Sequence, residues 1–101
     1  MLLHTVNKSP FEKGSLDTCL RLAKQGSSIL LIEDAVYAAM QGTAMESRIA
    51  EAMKRYRVYA LQSDLKARGL DNGKLLDGIK VVDYGGFVDL AAEHDAVQSW
   101  F

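Results

Sequence analysis

The sequence predicts a three-layer α/β/α domain on a small, mostly parallel sheet of four strands. Three observations carry this prediction. Short apolar runs alternate with helix-patterned stretches along the whole chain. The runs at 29–32 (Ile-Leu-Leu-Ile) and 58–61 (Val-Tyr-Ala-Leu) are continuously apolar, as suits strands covered on both faces in a parallel sheet. Gly26, Gly42 and Gly69 stand where helical patterns stop, the place a left-handed residue is wanted. Strands alternating with helices imply parallel pairing through right-handed crossovers.

The first strand is expected over residues 1–6, running into a polar loop that Pro10 stiffens. A strand, a loop and a helix N-terminus form the usual site-bearing corner of an open α/β sheet. Ser15 suits the N-cap of a helix over 16–25. On that helix Leu16, Cys19, Leu20 and Ala23 share one face, with Arg21, Lys24 and Gln25 toward the other. A second strand covers 28–32. Glu33-Asp34 stops it, and Asp34 is expected to cap a short helix over 35–40. That helix has no polar face beyond the Tyr37 hydroxyl, so it is expected to be buried either in its own core or, as a domain this small favours, against another chain.

Thr43-Ala44-Met45-Glu46 reads as a capping box. The helix it opens aligns Met45, Ile49, Ala52, Met53 and Tyr56, with Glu51 and Arg55 as an i,i+4 pair on the wet side. A third strand spans 58–61. A helical turn over 64–68 ends at Gly69, and Asp71-Asn72-Gly73 reads as a turn. A fourth strand covers 79–83. Tyr84-Gly85-Gly86 is expected to be a flexible joint before a last helix over 87–95, which aligns Phe87, Leu90, Ala91 and His94. The closing Trp100-Phe101 pair is expected to dock on the body or on a partner.

The chain, residues 1–101, is expected to form one domain of modest stability, for which association is a common remedy. Apolar residues make up 49% and charged residues 25%, an ordinary globular balance that argues against disorder. A net charge of −1, with no run of like charge, argues against direct binding of nucleic acid. The single cysteine cannot form an internal disulfide, which suits a reducing compartment. No secretory signal and no membrane-length apolar run are apparent, so a soluble cytoplasmic protein is expected.

Cys19 is the first site candidate. A thiol in the first turns of a helix feels the N-terminal dipole, which favours thiolate. Its place in the middle of an apolar stripe favours a packed, inert thiol instead. A lone mid-strand histidine such as His4 is more often a satisfied interior residue than a base or ligand. His94 lies on the inner side of the last helix or near its end, where a cation is welcome. Two histidines and one cysteine far apart give no metal spacing. Phosphate-loop, nucleophile-elbow, CxxC and HExxH patterns are all absent, so no cofactor site and no autonomous enzyme are indicated.

Several segments, in order and over nearly the whole chain, are similar to the DsrH/TusB family. They are His4-Thr5-Val6-Asn7-Lys8-Ser9-Pro10-Phe11, Leu30-Leu31-Ile32-Glu33-Asp34-Ala35-Val36-Tyr37-Ala38-Ala39, Asp64-Leu65-Lys66-Ala67-Arg68-Gly69, Val82-Asp83-Tyr84-Gly85-Gly86-Phe87-Val88-Asp89-Leu90 and the closing Ser99-Trp100. The resemblance implies a DsrE-like fold. It also implies a place in a cytoplasmic heterohexamer with DsrE/TusD-like and DsrF/TusC-like sister subunits, two copies of each. Such complexes relay sulfur as protein persulfide to a DsrC-like or TusE-like acceptor. They serve either 2-thiolation of the tRNA wobble uridine or dissimilatory sulfur oxidation. The main relay cysteine belongs to the sister DsrE/TusD-type subunit. The resemblance therefore implies a binding or scaffold role, a non-catalytic subunit of a sulfurtransferase complex. The alternative makes Cys19 itself a persulfide carrier, because it falls where DsrH-type members carry a cysteine in the first helix.

Overall fold

The computed structural model describes residues 1–11, 14–70 and 73–101. Among these residues five strands form one sheet: β1 (Leu2–Val6), β2 (Ser28–Leu31), β3 (Arg57–Leu61), β4 (Lys80–Val82) and β5 (Ala96–Trp100). Their spatial order is β4-β3-β2-β1-β5, and all four pairings are parallel. The helices are α1 (Ser15–Leu22), a 3₁₀ helix (Glu33–Ala39), α2 (Glu46–Ala52), α3 (Gln62–Ala67) and α4 (Tyr84–Glu93).

The fold class matches the sequence expectation, and the strand count corrects it from four to five. The added strand is the C-terminal segment. Its residues pair one for one with β1, from Leu2 opposite Ala96 to Val6 opposite Trp100. The sequence disguises it because Ala96-Val97-Gln98-Ser99-Trp100 is mostly polar or small, as suits an exposed edge strand.

Alternation of side chains across the sheet explains the two cores. Val6, Ile29, Leu31, Val58 and Ala60 face one side and join Leu16, Leu20, Val36, Ile49 and Leu65 in the larger core. Leu3, Leu30 and Tyr59 face the other side, where Leu90, Phe87 and Ala91 of α4 cover them. β1, β2 and β3 are thus buried on both faces, which is why their sequences are runs rather than alternations.

The apolar segment 35–40 forms a 3₁₀ helix inside this chain's own core, not against another chain. Ala35, Val36, Ala38 and Ala39 are fully buried, and only Tyr37 reaches the surface. Asp34 does not cap it. The Glu33 N–H is taken by Asp64 Oδ2 at 2.7 Å, while Asp34 Oδ1 accepts from Arg68 Nε at 2.9 Å. Glu33 itself sits at φ +49°, a left-handed backbone that the Asp64 bond helps hold.

Of the stripe foreseen on α2, Met45, Ile49, Ala52 and Tyr56 are buried and Met53 is half-buried. Thr43 Oγ1 accepts from the Met45 N–H, and Glu46 Oε1 accepts from the Gly42 N–H, a capping box displaced by one residue. Glu51 pairs with Lys54, not with Arg55, whose guanidinium lies over the Tyr56 ring. The Tyr56 hydroxyl spans the terminal carbonyls of α1, 3.0 Å from Leu20 O and 2.8 Å from Ala23 O. It donates to one of them at a time and satisfies a helix end that would otherwise be orphaned.

Gly26, just beyond α1, has φ +90°, and a Cβ there would fall 2.8 Å from Met1 Cε. The joint foreseen at 84–86 is instead the first turn of α4. The Asp83 carboxylate accepts from the Gly86 N–H at 2.7 Å and caps it. The turn read at Asp71-Asn72 lies outside the described residues.

Removing the Tyr56 hydroxyl leaves a buried helix end short of a donor. Tyr56→Phe is expected to lower unfolding stability by about 1–2 kcal/mol, with the native fold kept. Urea unfolding followed by circular dichroism measures it. A loss under about 0.3 kcal/mol would show that the capping bond carries little.

Candidate functional site at the first strand

Cys19 sits in the second turn of α1, facing the sheet, with no exposed surface. Leu16, Leu20, Val6 and Ile29 belong to the same buried cluster. Burial away from water penalises the thiolate and pushes the thiol up to about 12. Cys19 is therefore a protonated, enclosed thiol at neutral pH.

His4, in the middle of β1, is 3% exposed. Its Nδ1 accepts a hydrogen bond from the Trp100 indole N–H at 3.0 Å. The ring proton of neutral His4 accordingly lies on Nε2, which is buried without a hydrogen-bond partner among the described residues. Desolvation holds the His4 pKa below the ordinary value of 6.5. His4 thus works as an acceptor for the tail, the satisfied interior role on one nitrogen only. Trp100 packs against the larger core, which fulfils the expected docking of the tail on the body. Phe101 remains exposed.

His94 follows α4 and stays apart from His4. Its Nδ1–H donates to Leu90 O at 2.6 Å, which leaves Nε2 to accept from the Ser28 hydroxyl at 2.9 Å. This pair pins the end of α4 to the start of β2. At the sheet edge Thr5 Oγ1 and Ser99 Oγ lie 3.2 Å apart, and the N-terminal ammonium pairs with Asp95. Among the described residues no group of histidine, cysteine or acidic side chains is placed to hold a metal ion. No helix among them is long and apolar enough to cross a membrane.

The geometry brings His4 and Trp100 together and keeps Cys19 and His94 in separate roles. Sequence reasoning missed the His4–Trp100 bond. The signal was present in two polar-tipped residues at opposite chain ends, but only the unrecognised fifth strand makes them neighbours.

The parallel α/β/α sheet is a DsrE-like fold. Solved structures agree on the fold. The crystal structure of the ychN protein from E. coli superposes with a TM-score of 0.84 at 20% identity, covering 97% of each chain. The structure of MTH1491 from Methanobacterium thermoautotrophicum gives 0.75 at 17% identity, covering 97% of this chain and 96% of that one. At the sequence level, the family model described as DsrH like protein matches residues 8–97. Protein TusB of Shigella flexneri is 38% identical and Protein TusB of Escherichia coli (strain K12) 37%, each over 98% of this chain and the whole of the relative. The chain belongs to the DsrH/TusB family.

Two outcomes are expected at this site. The unfolded chain takes up a proton at His4 near pH 6.5 while the folded chain resists it, so stability falls as pH drops through and below that value. Melting between about pH 7.5 and pH 5 is expected to show this loss. His4→Gln, which keeps an acceptor for Trp100 but cannot titrate, is expected to flatten the curve. An equally steep fall in the variant would assign it to other groups. Cys19 is expected to react with a thiol reagent at neutral pH only once the chain is denatured. Rapid labelling of the folded chain would contradict its enclosure.

Proposed function

We propose that this chain is a scaffold subunit of a cytoplasmic sulfur-relay complex. It assembles with DsrE/TusD-like and DsrF/TusC-like sister subunits into a heterohexamer that passes persulfide sulfur to a DsrC-like or TusE-like acceptor. Full-length similarity to Protein TusB carries the reading, and it favours the branch that thiolates the tRNA wobble uridine over sulfur oxidation. The chain itself makes no direct contact with nucleic acid in this reading and needs no cofactor.

The surroundings of Cys19 support a scaffold role. A persulfide carrier needs an attacking thiolate within reach of a partner's sulfur. Cys19 is sealed in the core with its thiol raised to about 12. The sulfur-bearing cysteine is assigned to a sister subunit, and Cys19 fills volume between α1 and the sheet.

Cys19→Ala in the reconstituted complex separates the two roles. The complex is expected to assemble and to transfer persulfide sulfur at a rate within about twofold of the parent, while the chain loses about 1 kcal/mol from the cavity. Transfer abolished in an intact complex would make Cys19 a carrier and overturn the scaffold reading.

A further inference from the structure

The seam between α1 and α2 is an open groove of about 650 Å³, apart from the His4 corner and from the assembly reading. Its two ends are fixed. Asp17 of α1 pairs with Arg48 of α2 at 2.6 Å, and the Tyr56 hydroxyl ties the residues following α2 to the last carbonyls of α1. Buried Leu20 and Ala52 form the floor, and Arg21, Glu51 and Arg55 stand on the rim.

The charge here departs from that of the whole chain. Three of its five arginines line this one groove, in a chain of net charge −1. Arg48 is held by Asp17, and Glu51 is held by Lys54. Arg21 and Arg55 have no carboxylate partner among the described residues. Cations near helix C-termini offset the helix dipole, but any charge does that. Arginine adds a planar fork that binds carboxylates in bidentate fashion. Stacking on Tyr56 orients Arg55 in advance.

We infer that the α1–α2 groove docks an acidic segment of a partner protein, with carboxylates on Arg21 and Arg55. The paired carboxylates Asp17 and Glu51 also line the groove. They repel the continuous charge of a nucleic-acid backbone but leave room for a segment with separated carboxylates. A pre-framed groove with two guanidinium groups that lack a carboxylate partner among the described residues fits such a segment.

The test measures binding of a fluorescein-labelled helical peptide, with glutamates spaced among alanines, to the full chain by anisotropy. Arg21→Glu with Arg55→Glu is expected to weaken binding at least tenfold. Lys66→Glu with Lys74→Glu, at exposed positions away from the groove, is expected to leave it unchanged. Raising salt from about 0.05 M to about 0.5 M is expected to weaken parent binding, because exposed ion pairs are screened. Equal loss in both double variants would reduce the effect to diffuse charge and overturn the inference. So would undiminished binding by the arginine variant, or tighter arginine-dependent binding of an RNA oligonucleotide of equal charge. Circular dichroism melts confirm that both variants, changed only at exposed positions, remain folded.

Discussion

The enclosure of β1 is the constraint on which the rest of the domain depends. This strand is paired on both sides, with β2 and with β5. Its two faces are covered by different helices: Val6 lies in the core shared with α1, and Leu3 in the one shared with α4. Water is excluded from its middle. That exclusion keeps His4 neutral and turns it into an acceptor for Trp100. The same dry layer above the strand keeps the Cys19 proton in place. One fact of packing thus sets the state of His4 and Cys19 and anchors the end of the chain to its beginning.

Much of this architecture was legible in the sequence, and the failures have physical reasons. β2 and β3 announced themselves because burial on both faces forces apolar runs. The α2 stripe was legible because one buried face imposes helical spacing. β5 was not, since an edge strand needs no apolar run, and its pairing with β1 joins residues at opposite ends of the chain. The 3₁₀ helix was read as an interface because its all-round apolar character shows burial without saying against what. Here neighbouring β2, α2 and α3 supply the cover. Asp34 looked like a cap because local chemistry favours one. Arg68 and Asp64, in contacts that span 34 and 31 residues, rearranged those partners through tertiary contact.

The candidate site was partly legible. Cys19 was singled out for its helix position and discounted for its apolar neighbours, and the neighbours decide its surroundings. Family membership rested on segments spread along the whole chain, and the matched span of residues 8–97 reflects that spread. The fold neighbours, at 20% and 17% identity, carry the architecture alone. The scaffold role proposed for this chain rests on that membership and on its one enclosed cysteine.

Native mass analysis of this chain, captured from its own cells under mild conditions, tests that account most directly. The account predicts two further small subunits in amounts equal to this one, in a particle of two copies of each. Recovery of the chain alone, as a stable monomer or homo-oligomer, would contradict it.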